Sequence, residues 1–409
     1  MKSRFLDKLA GVSFASYALC ASCVLLGAPD AWAQIGIEFS GSGFLTVGLG
    51  KVLKGDPQQD FNGYVAPMFV TDYAQGAIYE NRGWLFKPDT KLGLQGTAVL
   101  SPQFSATGQV VARGARQGRV DLEWIYGSYH VNDKLTVQVG RKRLPLFYYS
   151  ETQDVGITYP WTHLPPGQYG WEIVNYNGAN LMYREQWGEW SGSMNLFGGN
   201  ETRRDNPYQK IYNGRATRTD SKWSNIAGAD MTLMRGWLEA RMAYIQSDIQ
   251  DRFEDTTLPG PYEYSNKVKQ KIYSLSFSID HPRWVVRNEY LYTDRKEAGD
   301  EFYSSLLGVG YRFGKFLPML TFNRYRERLT PSYANPSLVD PTGIDPAAYE
   351  GFSTLALSLR YDLTPTSALK LQLERWQDRN GPAFNIGTGG SSVPYGNARL
   401  LSISYDMVF

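Results

Sequence analysis

Eight ionisable residues between positions 113 and 154 are spaced so that charges of both signs could face one another: Arg113, Arg119, Asp121, Glu123, Arg141, Arg143, Glu151 and Asp154. Guanidinium and carboxylate groups fixed on opposite walls of a narrow aqueous gap create a field that orients polar solutes and sorts ions by sign. Such selection needs no nucleophile. The residues that covalent or metal chemistry would use are not grouped: His130, His163 and His281 are scattered, and no nucleophile and base constellation stands out. The stretch holding Glu151 and Asp154 lacks acidic residues at every second position, as a calcium loop would have them. No enzymatic activity, cofactor or metal is expected.

Period-two patterning says which elements hold these charges. Over residues 104–113, Phe104, Ala106 and Val110 share one face, leaving Gln109 and Arg113 on the other. Over 119–130, Val120, Leu122, Trp124 and Tyr126 are expected to point out and Arg119, Asp121 and Glu123 to point in. Strict alternation puts Arg141 with Leu135, Val137 and Val139 on the outer face, so an inward Arg141 requires a bulge near Gly140. Arg143 enters the following loop, where Glu151 and Asp154 would oppose the arginines. In the alternative arrangement the arginines are solvated rim charges, or pair with Asp121 and Glu123 within the wall.

The same alternation recurs along the chain. Strand-like segments are expected at 35–49, then in pairs at 91–100 and 104–113, 119–130 and 135–141, 179–187 and 189–198, 225–234 and 237–246, 272–280 and 283–293, 302–313 and 316–325, 352–363 and 368–376, and finally 400–409. That is one strand, seven hairpins and one strand, about 16 in all, with connections that alternate short and long. Leu369, Leu371 and Leu373 against Lys370, Gln372 and Glu374 show the pattern most clearly. The chain ends on it too, with Leu401, Ile403, Tyr405, Met407 and Phe409 on one face.

Composition fits a membrane barrel better than a soluble sandwich. The mean hydropathy is -0.39, and no segment after residue 33 is long and apolar enough for a spanning helix, yet the chain has 28 Tyr and 11 Trp, as aromatic girdles require. A net charge of +2 gives no reason to expect nucleic acid. Lys2 and Arg4, an apolar run to Leu26 and Ala31-Trp32-Ala33 read as a removable secretory signal over residues 1–33, leaving a single barrel domain over 34–409. Cys20 and Cys23 both fall inside that signal.

The passage Val139-Gly140-Arg141-Lys142-Arg143-Leu144-Pro145-Leu146-Phe147-Tyr148-Tyr149-Ser150, with the signal, the hairpin series and the terminal Phe409, resembles the Gram-negative outer-membrane porins of the general type. The resemblance implies an all-β transmembrane antiparallel barrel of about 16 strands, with short periplasmic turns, long extracellular loops and a third loop folded inward to a constriction. It implies a homotrimer in the outer membrane, in contact with its lipids, inserted by the barrel-assembly machinery through the strand ending at Phe409. The Pro-Glu-Phe-Gly-Gly motif of enterobacterial porins is absent; Tyr159-Pro160-Trp161 and Pro165-Pro166 stand in that loop instead. The implied function is passive diffusion of ions and small hydrophilic solutes. The alternative is a channel with an internal site for a sugar or small anion, for which Tyr148, Tyr149, Tyr159, Trp161 and Tyr169 would offer stacking surfaces.

Overall fold

The computed structural model describes residues 37–55, 62–254, 260, 262–330, 348–381 and 396–409. The signal expected over residues 1–33 lies outside them. In chain order the strands are Glu38–Gly55 (β1), Phe69–Asp72 (β2), Ala77–Tyr79 (β3), Lys91–Val99 (β4), Phe104–Arg113 (β5), Val120–His130 (β6), Leu135–Arg143 (β7), Asn175–Trp187 (β8), Trp190–Arg203 (β9), Arg218–Arg235 (β10), Leu238–Glu254 (β11), Val268–Asp280 (β12), Trp284–Arg295 (β13), Asp300–Tyr311 (β14), Phe316–Leu329 (β15), Ala348–Thr364 (β16), Ser367–Asp378 (β17) and Ala398–Val408 (β18). All but β2 and β3 form one closed antiparallel barrel of sixteen strands. Each barrel strand overlaps a segment read from the alternation, and β2–β3 is a separate hairpin that the alternation did not reveal.

The barrel closes where β1 meets β18. Gly43 and Phe409 exchange both backbone hydrogen bonds, at 2.7 and 3.0 Å, so no edge is left open to lipid. Outward positions carry the apolar residues: Leu355, Leu357, Leu369, Leu371, Leu373 and Ile403 are all exposed on the outer face. Trp187, Trp237, Trp284, Phe313 and Phe316 are exposed beside the short turns, at the level where aromatic rings bridge hydrocarbon and water.

Two departures from strict period two alter which side chains face in. In β6, Gln109 pairs with Trp124 but Val110 pairs with Leu122, so Glu123 is one residue more than its partner strand supplies. This bulge shifts the parity beyond it. Ile125 is therefore exposed outside, and Tyr126, expected outside, lies inside with Lys142 Nζ 5.0 Å over its ring. The second departure is a row of glycines in register across three strands, Gly140, Gly178 and Gly199. A Cβ at any of them would sit within 2.2 Å of a neighbouring backbone oxygen, and Gly140 has φ of 142°. Only glycine allows backbones so close in that conformation.

Two long connections fold into the barrel. Residues 144–174, joining β7 to β8, contribute Leu144, Phe147, Tyr149, Tyr159, Trp161, Tyr169 and Trp171 to an apolar cluster with inward residues of β10 to β15. Hairpin β2–β3 is buried as well, with Phe69 5.4 Å from Trp376 and Tyr73 stacked on Phe352 at 6.3 Å. A short helix, Pro207–Asn213 (α1), caps this hairpin through Tyr208 and Tyr212, whose rings lie 5.9 and 6.3 Å from Tyr73.

Candidate functional site

The sequence placed eight charged residues near a constriction; the structure sorts them into three groups. Arg113, Glu123, Arg143 and Asp154 form one buried network, in which Arg113 Nη1 is 2.6 Å from Glu123, Arg113 Nη2 is 2.8 Å from Asp154, and Arg143 pairs with both Asp154 and Glu123. Asp121 borders it at 3.7 Å from Arg113. Arg119 stands at the edge, 60% exposed, with Nε 3.3 Å from Asp121. Asp154 is thus in direct contact with the arginines it was expected to oppose across water. The two guanidinium groups outweigh the effect of burial and hold its carboxyl well below the usual carboxylate range.

Arg141 and Glu151 go elsewhere. The ladder runs through Gly140 without an inserted residue, so the bulge required for an inward Arg141 is absent. Beyond the glycine row, however, side chains of both parities lie inside. Arg141 shares a small cavity with Gln75, Glu172 and Arg203, pairs with Glu201 at 2.5 Å and donates to the Leu122 carbonyl at 2.9 Å. Glu151 is exposed and acts electrostatically on Lys142 of β7 and Asp230 of β10.

The third loop is fastened to one side of the barrel. Lys370 Nζ donates to the carbonyls of Gly156 and Trp161 at 2.6 and 2.8 Å. Trp161 Nε1 donates to Thr321 at 2.7 Å, Arg360 donates to the Ile157 carbonyl at 2.5 Å, Arg287 donates to Tyr149 Oη at 2.7 Å, and Tyr169 Oη donates to Glu289 at 2.5 Å. These anchors lie on β13 and β15 to β17, so the loop is held against that side of the wall. His163 is held between Asp89 at 3.2 Å and Glu374 at 3.0 Å, tying the third loop to the first connection and to β17. Burial pulls its pKa down, but the carboxylates outweigh that and raise it to about 10.

Across from these anchors, β7 to β11 present a continuous polar row. Asn180 donates to Gln138 at 3.2 Å and to Asn195 at 2.8 Å, Asn195 donates to Asp230 at 2.8 Å, and Arg241 lies 3.5 Å from Asp230. Lys142 donates to Gln138 and, at 3.3 Å, to Asn180. Tyr148 of the third loop reaches across to donate to Glu239 at 2.9 Å. Arg184, exposed, lines a cavity of about 490 Å³ with Ser193 and Thr232 toward the short-turn end. Parity alone places Asp230 and Thr232 opposite outward Met231, but nothing local marks which neighbours across the sheet they meet. Tyr149, Tyr159, Trp161 and Tyr169 are buried as packing. Among the described residues no group of three or more His, Cys, Asp or Glu is arranged to hold a metal.

No family model and no curated protein matches the sequence. Solved structures match in fold. OmpF of Salmonella typhi, in complex with daunomycin, gives a TM-score of 0.53 at 10% identity over 92% of this chain and 99% of that one. The outer membrane channel DcaP of Acinetobacter baumannii gives 0.52 at 10% identity, over 91% and 97%. The anion-selective porin from Comamonas acidovorans gives 0.50 at 12% identity, over 91% and 100%. The fold is that of the outer-membrane porins.

Proposed function

We propose that the chain is an outer-membrane channel for passive diffusion of ions and small hydrophilic solutes. The observation that carries this reading is the inward third loop, anchored on β13 and β15 to β17 and facing a polar wall on β7 to β11. A packed structural barrel would have no use for Lys142, Asp230 and Arg241 on that inner face, with Glu151 of the third loop beside them, where charge is costly unless water reaches it. The charges come in both signs, Lys142, Arg184 and Arg241 with Glu151, Asp230 and Glu239. Solutes would therefore be sorted by size and by the local field, with no large net charge favouring one ion.

A stacking site for sugars has less support, because the third-loop rings offered for it are used in packing and only Tyr148 of that set is partly exposed. The barrel in a planar bilayer under a salt gradient would report a pore, its size and its ion preference together. Ohmic steps with a modest reversal potential are expected. Absence of any conductance from folded barrels would refute the channel.

A further inference from the structure

Outward positions in the long-loop half of β15 to β18 and β1 carry an unusual set of charges. Lys54 lies directly opposite Arg399 in the ladder, and Arg399 directly opposite Arg375, so three cations occupy one row on three adjacent strands. Lys51 flanks this row on β1, and Arg324 lies one outward step farther toward the long loops on β15. Lys54, Arg324, Arg375 and Arg399 are exposed. Their outward position follows from parity with exposed Leu371, Leu373, Ile403 and Phe322, and from the bulge at Leu53, which brings Lys54 into register with Arg399.

Like charges directly opposite one another on a sheet face destabilise the pairing. Among the described residues no outward carboxylate lies in this half of β16 to β18 or β1 to relieve that repulsion. On the far side of the barrel the pattern differs, since outward Lys271 faces Asp294. The cationic row also begins where the apolar belt ends, one step beyond Leu373 and Leu401, which is the level of lipid headgroups.

We infer that this row binds the phosphate groups of a lipid in the outer leaflet. The inference rests on the reading of the barrel as an outer-membrane protein with its long loops outside. Planar guanidinium groups engage phosphate with two parallel hydrogen bonds. Three strands at the usual spacing of ~4.8 Å give the cations a width of ~10 Å, which suits one headgroup bearing two phosphates. The phosphates supply the negative charge that the sheet withholds.

The test uses the folded full chain, checked by heat-modifiable migration. Native mass spectrometry would count lipid A molecules retained after delipidation, comparing diphosphorylated lipid A with the same lipid stripped of both phosphates. Wild-type barrel should retain the diphosphorylated lipid and not the stripped one, and Lys54→Gln/Arg375→Gln/Arg399→Gln should bind on the order of 100-fold more weakly. Lys269→Gln/Lys271→Gln, on the far side, should bind as wild type does. Equal retention by the triple variant, equal binding of the stripped lipid, or equal loss in the far-side variant would each overturn the inference. So would a wild-type oligomer, formed without lipid, that the triple variant splits, since a second copy would then cover the row. Conductance of the same preparations separates the two readings: barrels that conduct but retain no lipid A refute only the lipid site, and barrels that retain it without conducting refute only the channel.

Discussion

Lys370 Nζ lies 3.0 Å from Asp406 Oδ2 across β17 and β18, and neither side chain has any solvent exposure. The lysine also donates to two third-loop carbonyls and stands 4.6 Å over the ring of Tyr159. One cation therefore neutralises a wall carboxylate and fastens the loop. Asp406 in turn accepts from Thr46 of β1 at 2.6 Å, so the anchor sits at the barrel seam.

Lys370→Met should leave Asp406 buried without a counter-charge and two carbonyls without a donor. A loss of ~3–5 kcal/mol is expected for breaking one side of a buried pair. The loop should loosen before the barrel opens, giving noisier and larger conductance steps at ordinary denaturant concentrations. Lys370→Met/Asp406→Leu should recover part of the stability lost, since no lone charge remains. Conductance recordings and urea unfolding would check both; a quiet wild-type conductance in the single variant would show that the loop is held by its apolar packing alone.

Asp154 and Glu151, three residues apart, should behave differently. Asp154→Asn leaves Arg113 and Arg143 buried with Glu123 shared between them and Asp121 only at 3.7 Å from Arg113, so its main effect should be lower stability of the loop. Glu151→Gln removes an exposed carboxylate facing Lys142 and should shift the reversal potential toward anions with stability unchanged. That shift should shrink at 1 M salt, where the screening length is ~3 Å, relative to 0.1 M, where it is ~10 Å. Identical reversal potentials for wild type and Glu151→Gln at low salt would remove Glu151 from the conducting path.

The barrel was legible because one face of each strand meets lipid, which enforces period two from Leu369 to Glu374 and at every comparable hairpin. Where that constraint lapses, so does the reading. Expected residues 225–234 belong to a longer strand, Arg218–Arg235, because a bulge beside Asn225, with φ of 54°, interrupts the period. Glu123 does the same in β6, so Trp124 and Tyr126, both expected outside, pair with inward Gln109 and Thr107. Hairpin β2–β3 carried no signal at all: it is buried on both sides, so Phe69, Val70, Ala77, Ile78 and Tyr79 never had to alternate with polar residues. The pairing of Asp154 with Arg113 depends on how a loop of many residues folds back, which spacing along the chain does not encode.

The His163 link predicts a response to alkaline pH. Its imidazole is raised from an ordinary value of 6.5 to about 10 by Asp89 and Glu374. A raised pKa stabilises the folded state through the protonated form, so the contribution is complete below pH 6.5 and is lost as the pH rises through about 10. Unfolding midpoints for wild type and His163→Gln should differ most just below pH 6.5, differ progressively less as the pH rises, and converge above pH ~10. A difference that stays constant across that range would mean that His163 is held neutral.

The β2–β3 hairpin of the first connection lies buried inside the barrel. Its residues pack on Trp376 and Phe352 of the wall, on His163 of the third loop at 6.2 Å from Phe69, and beneath α1. Its strands pair through Phe69 and Tyr79, so Met68 and Glu80 can be joined by two glycines across a gap on the order of 5 Å. The shortened chain keeps all sixteen barrel strands and should still fold. With the apolar hairpin gone, the cavity between third loop and wall would fill with water, and single-channel conductance should rise several-fold while the third-loop anchors hold. The buried Asp89, which accepts from Thr71 at 2.8 Å and Tyr79 at 2.9 Å, would lose both donors and rely on His163 alone. If conductance is unchanged in folded, heat-modifiable barrels, solutes pass wholly along the β7 to β11 wall and the hairpin does not narrow their path.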